Sequence, residues 1–205
     1  MGNEANCSVR VGKRRVQGKA LLETSEVIFR GAEDGFRLKI AFSNIKSAKA
    51  VDGELRLQTA DGLAAFELGA AAEKWCEKIL HPKTRLEKLG LKAGGSVSLA
   101  GTFDEGFLRE LREVTKNIHD GKVDASSEII FASADSAKDL GAIGKVAKGM
   151  KGATALWVIY PKGQKAITEN GVLAAGRKAG LKDVKVVGFS PTHTALKFVV
   201  PVDRR

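Results

Sequence analysis

Four residues of this sequence have the types and positions that a ligand site at the edge of a sheet would need: Gly101, Thr102, Asp120 and Lys162. Each ends or follows a short predicted strand, and ligands of open α/β sheets bind beyond the carboxyl ends of the strands. Asp120 lies 19 residues after Gly101, close to the spacing of about 20 at which an acid bonds ribose hydroxyls in nucleotide-binding units. Lys162 is a cation that could hold an anionic group. These four residues form the candidate cofactor-binding cleft.

The turn after the predicted strand that ends at Gly101 is poorly suited to binding a phosphate group. The stretch "LAGTFDEGF" has a single glycine at the turn, Gly101, and the bulky Phe103 comes two residues later. Asp104 and Glu105 fall in the first turn of a predicted helix, where they complement its positive end and would repel a pyrophosphate. The glycine-rich stretch "GAIGKVAKG" lacks the spacing of a P-loop. We therefore expect no dinucleotide in this chain.

Other reactive side chains lack the spacing that catalysis or metal binding needs. The histidines His81, His119 and His193 have no metal-ligand spacing to one another or to a cysteine, and no GxSxG elbow occurs. Cys76 lies on the apolar face of a predicted helix, where we expect a buried small hydrophobe, and Cys7 lies in a predicted tail. We predict no catalytic residue and no metal site. Two cysteines without a disulfide framework favour a reducing, cytoplasmic setting.

The elements around the candidate cleft alternate between strand and helix. The predicted strands after Lys83 are "GGSVSLAG", "TKNIHDG", "SEIIFAS", "ATALWVIYPKG", "DVKVVGF" and "ALKFVVPV". Helices lie between them, one of them capped by Asp135 and another capped by Thr168 and stopped at Gly180. This alternation indicates a parallel sheet with helices on its faces, with residues 133–135 at the same edge as the candidate cleft. The short turn "SPTHT" makes the last two strands antiparallel.

Three stretches of this half, "LEKLGLKAGGSVSLAG", "ALWVIYPKG" and "THTALKFV", resemble an uncharacterised bacterial family in order and spacing. The resemblance covers roughly Lys83 to Val202, and "LWVxYPK" is its most specific motif. It implies a degenerate class I methyltransferase fold, a Rossmann-like sheet closed by an antiparallel hairpin. A methyltransferase of this fold would bind S-adenosylmethionine through a glycine-rich turn and an acid, here Asp120. The family often has an aromatic residue and a serine where this chain has His193 and Thr194, and no reaction is established for it.

Residues 16–82 follow a different pattern, with six short predicted strands and then one amphipathic helix from about Ala70 to Leu80. Asp52-Gly53 and Asp61-Gly62 are strong hairpin markers between these strands. The order resembles the pleckstrin-homology-like barrel, in which a C-terminal helix closes one end. That superfamily often binds phosphoinositides through basic residues in the first connection between strands. Here the predicted first connection is the acidic "ETSE" at residues 23–26, so we expect no lipid-headgroup function.

The 205-residue chain suits two domains and has a formal net charge of +10. Its densest positive cluster, Arg10, Lys13, Arg14 and Arg15, lies in residues 1–15, which we predict to be a flexible basic tail. Elsewhere the lysines are mixed with acids, which favours a solvated basic surface over a dedicated nucleic-acid site. The apolar runs are shorter than the roughly 20 residues that span a bilayer, so we expect no membrane partner.

We therefore predict an α+β protein with a basic tail at 1–15, a pleckstrin-homology-like β-barrel and helix at 16–82, and a Rossmann/methyltransferase-like α/β domain at 83–205. We expect a non-catalytic binding or interaction module without a cofactor, whose partner is a protein or a small anionic ligand. Two alternatives stay open: a divergent S-adenosylmethionine-dependent methyltransferase, and nucleic-acid binding through the basic α/β domain and the tail. A strand-end cleft filled by Phe103 and its neighbours would count against the methyltransferase.

Overall fold

The computed structural model describes residues 3–32 and 35–204. The chain divides into two compact units, Met1–Lys83 and Thr84–Arg205. Each unit has its own sheet and its own hydrophobic core. Among the described residues, no helix has the length and apolar character needed to cross a membrane.

The first unit is a curled antiparallel sheet with one helix. In its described part the strands are β1 (Asn3–Val11), β2 (Arg14–Leu22), β3 (Glu26–Gly31), β4 (Arg37–Ala41), β5 (Ser47–Val51), β6 (Glu54–Thr59) and β7 (Gly62–Glu67), followed by α1 (Ala71–Leu80). Hydrogen bonds join them in the order β4-β3-β2-β1-β7-β6-β5, which places β1 at the centre. Trp75, Cys76 and Ile79 of α1 are buried in the core of this unit. The amphipathic helix predicted from the sequence is therefore confirmed.

The prediction of a flexible basic tail at residues 1–15 is wrong for its described part. β1 pairs with β2 along its whole length and with β7 near its end, so it joins the two halves of the sheet. The side chains of Cys7 and Val9 are buried in the core. The segment is therefore a central strand of the first unit, and a seventh strand joins the six that the sequence predicts.

Two members of the basic cluster, Arg10 and Arg15, are paired with acids of their own sheet. An Nη of Arg10 lies 3.1 Å from a carboxylate oxygen of Glu54, and an Nη of Arg15 lies 2.6 Å from a carboxylate oxygen of Glu67. The guanidinium of Arg14 lies over an aromatic ring, 4.8 Å from its centroid. Arg10 and Arg15 therefore neutralise neighbouring carboxylates on the sheet surface, and all three arginines contact the folded sheet.

The presence of β1 also changes which connection comes first in this sheet. Gly12 and Lys13 join β1 to β2, and the acidic stretch at residues 23–26 leads from β2 into β3. The expectation that lipid headgroups are excluded rested on an acidic first connection, so that argument loses its premise. Asp52 and Gly53 do form a hairpin turn, between β5 and β6, with φ of 51° and 78°.

The second unit is a mixed sheet covered by helices. Its elements are α2 (Arg85–Leu89), β8 (Val97–Ala100), α3 (Glu105–Val114), β9 (Ile118–Asp120), β10 (Ile129–Ser133), α4 (Ile143–Gly149), β11 (Ala155–Pro161), α5 (Glu169–Lys178), β12 (Lys182–Gly188) and β13 (His193–Val199). The strand order is β12-β13-β11-β10-β8-β9. β9, β8, β10 and β11 are parallel, whereas β13 is antiparallel to both β11 and β12. The predicted parallel sheet with a terminal antiparallel hairpin is therefore confirmed.

Helices pack on both faces of this sheet because its central strands are apolar on both sides. All seven residues of β11 are buried. Trp157 and Ile159 share one core cluster with Leu86 of α2 and Phe107 of α3. The residues that alternate with them belong to a second cluster, with the apolar side chains of α4 and α5. Trp157 Nε1 also donates a hydrogen bond of 2.8 Å to the carbonyl oxygen of Leu89, which fixes the end of α2 on the sheet.

One predicted helix cap differs from the structure. Asp135 does not cap the helix after β10, because α4 begins only at Ile143, after Ala142. The amide of Asp135 instead donates to a carboxylate oxygen of Asp139 (3.1 Å). The same oxygen accepts from the amide and the hydroxyl of Ser136, at 2.8 and 2.9 Å, and these bonds lower the pKa of Asp139. The chain thus passes through a turn and a short 3₁₀ segment (Asp139–Ala142) before α4 begins.

Candidate functional site

The strand order reverses between β8 and β10, since β9 lies on one side of β8 and β10 on the other. A reversal of this kind is where ligands of open α/β sheets bind. Gly101 and Thr102 directly follow β8, and Asp120 ends β9. Ser133 ends β10 on the opposite side of the reversal. Three of the four predicted site residues therefore lie on neighbouring strand ends, and Ser133 joins them.

The crevice at this reversal is bridged by a direct hydrogen bond. The amide of Thr102 donates to Ser133 Oγ over 2.9 Å. Gly101 has φ of 104°, and a Cβ at this position would collide with Ser133 Oγ. The lack of a side chain at Gly101 thus makes room for a protein hydroxyl, where a cofactor site would need room for a ligand. The single glycine of the turn has a structural role.

The residues after the turn also serve the fold. Phe103 packs against the core on the side of α3, with its ring centroid 5.4 Å from that of Phe107. Asp104 caps α3, since one of its carboxylate oxygens accepts a hydrogen bond of 2.9 Å from the amide of Phe107. A carboxylate at the positive end of a helix takes the place that a phosphate would occupy. The start of α3 is therefore no phosphate cradle.

Asp120 is the one member of the nucleotide pattern whose side chain is available. It is exposed, and its carboxylate makes no hydrogen bond or ion pair with another described residue. Asp120 lies opposite Leu99 in the pairing of β8 with β9, so it is beside β8, as its spacing from Gly101 in the sequence suggests. An acid in this position can accept hydrogen bonds from hydroxyl groups, but the turn after β8 is in contact with Ser133.

Lys162 lies apart from these residues. It follows β11, and β10 separates that strand from β8. The backbone amide of Lys162 donates to the carbonyl oxygen of Thr192 (2.8 Å), and its Nζ donates to that of Ser190 (2.7 Å). Lys162 is thus bound to the connection between β12 and β13. The predicted cleft of four residues is divided into a crevice at β8, bridged by the hydrogen bond from Thr102 to Ser133, and a separate region around Lys162.

A hollow of about 420 Å³ adjoins Lys162 at the end of the sheet. It is lined by Asp135, Pro161, Lys162, Gln164, Pro191, Thr192 and His193. His193 Nδ1 lies 2.9 Å from Thr192 Oγ1, so the ring is held against the same connection that Lys162 contacts. The Lys162 ammonium keeps two further N–H groups after its bond to Ser190. The hollow can therefore bind a small anion or a polar group.

The thiols and the metal-binding residue types offer no other centre in the described part of the chain. Burial raises the pKa of the Cys7 thiol to about 11 and also raises the pKa of Cys76. Both cysteines are unpaired and buried, so neither thiol is a ready nucleophile. Within residues 3–32 and 35–204, no three His, Cys, Asp or Glu side chains lie close enough to hold a metal ion.

The sequence does not match any protein-family model or any curated protein. Similar solved structures include S-adenosylmethionine-dependent methyltransferases. One from Aquifex aeolicus is 16% identical, with a TM-score of 0.46, over 55% of this chain and 86% of its own. A TehB-like one from Corynebacterium glutamicum is 8% identical, with a TM-score of 0.40, over 63% of this chain and 96% of its own. A methyltransferase from Pyrococcus furiosus is 14% identical, with a TM-score of 0.35, over 57% of this chain and 82% of its own. At such identities and TM-scores, the likeness assigns neither a fold nor an activity to this chain.

Two features of the second unit do not emerge from reading the sequence for motifs. The sequence places Ser133 at the carboxyl end of its strand, the edge that carries the candidate cleft. However, nothing in "EIIFAS" indicates that its hydroxyl contacts Gly101. The other feature is a pair of lysines, Lys185 and Lys197, that face each other across β12 and β13. The alternation in "ALKFVV" is a signal for this pair, because it places Lys197 on the same face as the buried Ala195.

Proposed function

We propose that this chain is a non-catalytic binding module whose second unit keeps the strand order of a class I methyltransferase but has lost the cofactor crevice. The observation that carries this proposal is the contact of Ser133 with Gly101 and Thr102, which occupies the strand reversal. Asp104 supports it, because its carboxylate caps the helix end that an anionic cofactor group would need. A cytoplasmic, bacterial setting is part of the same proposal.

The order of elements supports the finer fold assignments that we propose for the two units. In the second unit, four parallel strands reverse their order at β8 and β10 and are closed by the antiparallel pair of β12 and β13. In the first unit, the seven described strands and the helix after them follow the sequence of elements of a pleckstrin-homology-like barrel. Neither architecture fixes a function, since both are shared by many unrelated proteins.

We further propose that the hollow beside Lys162 is the binding site and that it takes a small anionic group, either free or on a protein partner. Lys162 lines the hollow and its ammonium is bound to the carbonyl oxygen of Ser190, while Thr192 and His193 supply polar neighbours and Asp135 is the acid in the wall. Nucleic-acid binding through the N-terminal segment has less support, because Arg10 and Arg15 are paired with carboxylates.

The thermal stability of the full chain tests this proposal. Ligands that bind only the folded state raise the melting temperature, so S-adenosylmethionine and S-adenosylhomocysteine at about 1 mM should leave it unchanged, whereas inorganic phosphate should raise it. The variant Lys162→Ala should lose the response to phosphate, and Lys165→Ala, with a lysine three residues away and outside the hollow, should keep it. A saturable shift with either methionine derivative would instead establish the divergent methyltransferase. A phosphate response equal in all three proteins would reject the Lys162 site.

A further inference from the structure

Two lysines and a tryptophan lie side by side on one face of the second sheet. Trp157 of β11 pairs with Lys197 of β13, and Lys197 pairs with Lys185 of β12. Both ammonium groups lie over the indole ring of Trp157, with Nζ of Lys185 at 5.4 Å and Nζ of Lys197 at 5.9 Å from its centroid. Like charges directly opposite each other on neighbouring strands destabilise a sheet. Loss of one proton from this pair would remove that repulsion.

The two amines are held differently. Nζ of Lys185 donates a hydrogen bond of 3.1 Å to the carbonyl oxygen of Lys88 at the end of α2. Nζ of Lys197 makes no hydrogen bond or ion pair with another residue in the described part of the chain. Lys197 is therefore the member of the pair that can lose a proton without weakening a bond to the protein.

The surroundings of Lys197 act on its protonation in a known direction. Burial lowers the pKa of Lys197, and the nearby charge of Lys185 lowers it further. The indole face of Trp157 attracts a cation and acts the other way. Glu128 and Lys151, one of each sign, line the same hollow as Lys197. Burial and the charge of Lys185 thus both favour the unprotonated form of Lys197.

Lys197 is also accessible to small molecules. It is half-buried and lines an open hollow of about 440 Å³ at the amino ends of β10 and β11. Gly90, Ser126 and Thr154 form other parts of its wall. Small-molecule pockets in proteins have volumes of about 300–1,000 Å³, so this hollow can admit a small acyl donor beside the amine.

We propose that Lys197 is a modification site, the amine of the second unit that reacts selectively with small activated acyl donors such as acyl phosphates and thioesters. The unprotonated Nζ attacks the carbonyl carbon and forms an amide C–N bond. The C–O or C–S bond of the donor breaks, the phosphate or thiolate leaves with the bonding electron pair, and the amine proton passes to solvent. Nothing is oxidised or reduced. The amide is neutral, so the reaction also removes one of the two facing charges. This inference does not depend on the proposed binding function.

Competitive acetylation of the full chain tests the proposal. A limiting amount of acetyl phosphate is added at a series of pH values, and the extent of acetylation at each lysine is measured by peptide mass spectrometry. Lys151 lines the same hollow and serves as the internal control. At about pH 7.5, Lys197 should react at least about three times faster than Lys151.

Two variants separate the effect of the neighbouring charge from simple exposure. Lys185→Gln removes the repulsion, so the pH of half-maximal reaction at Lys197 should rise and its rate near neutral pH should fall. Lys185→Arg keeps the charge and should keep the rate. Equal rates at Lys197 and Lys151 in the unaltered chain would overturn the proposal, as would an unchanged pH profile in a folded Lys185→Gln protein. If Lys185→Gln does not fold, the relative rates at Lys197 and Lys151 in the unaltered chain still test the proposal.

Discussion

A single hydroxyl, that of Ser133, lies against the turn at the strand reversal of the second sheet. Ser133 Oγ accepts the amide proton of Thr102 and lies where a side chain at Gly101 would have to go. A glycine at this turn is a weak sign of a cofactor, because close approach of a ligand and close approach of a neighbouring strand both require it. Only the group that lies against the glycine, a ligand or a residue of the neighbouring strand, shows which of these two roles the glycine has.

The Ser133–Gly101 contact predicts a specific pattern of stability in a pair of variants. Gly101→Ala forces a side chain into a left-handed conformation and against Ser133, so we expect a loss of about 2 kcal/mol of unfolding free energy. Ser133→Ala should cost about 1 kcal/mol or less, because water can satisfy the exposed amide of Thr102. In the Ser133→Ala background, Gly101→Ala should cost less than it does alone. Urea unfolding of the four proteins measures this coupling, and strictly additive losses would show that the two residues are not in contact.

At the scale of elements, the N-terminal strand shows how a central strand can resemble a tail. The residues that face the core, including Cys7 and Val9, alternate with polar ones, which is the pattern of a strand with one buried face. The cations Arg10 and Arg15 dominate the composition of the segment, but they are balanced by Glu54 and Glu67, which lie about 40 to 50 residues later. The charges of neighbouring residues in the sequence do not indicate such long-range ion pairs.

Because β1 is a central strand with one buried face, a new charge should strongly destabilise the protein on the buried face and have little effect on the exposed face. Val9→Asp places an unpaired charge in the core of the first unit and should lower the unfolding free energy by about 3–5 kcal/mol. Asn6→Asp adds the same charge to the exposed face of the same strand and should change stability by no more than about 0.5 kcal/mol. Circular dichroism melts of both variants provide the measurement. Two equally mild effects would mean that residues 3–11 behave as a tail after all.

At the scale of the whole molecule, the order of elements after β1 was predictable from the sequence, whereas β1 itself and the candidate cleft were not. Apolar periodicity and the turn at Asp52-Gly53 depend on neighbouring residues, so strands and helices could be placed, and the tight link before β13 fixed its direction. The meeting of Ser133 with Gly101, of Lys162 with Ser190, and of two lysines over one indole depends on the register of strands far apart in sequence. Local patterns carry no information on that register.

The division into two units with separate cores predicts separate unfolding transitions. Each unit contains one tryptophan, Trp75 in the first and Trp157 in the second, and both are buried, so each can report on its own core. Trp75→Phe and Trp157→Phe give two single-tryptophan proteins whose fluorescence should change at different urea concentrations. Since a core of this size can fold alone, adding Val9→Asp should lower the midpoint seen by Trp75 and leave that of Trp157 in place. Equal shifts at both tryptophans would show that the chain unfolds as one cooperative body.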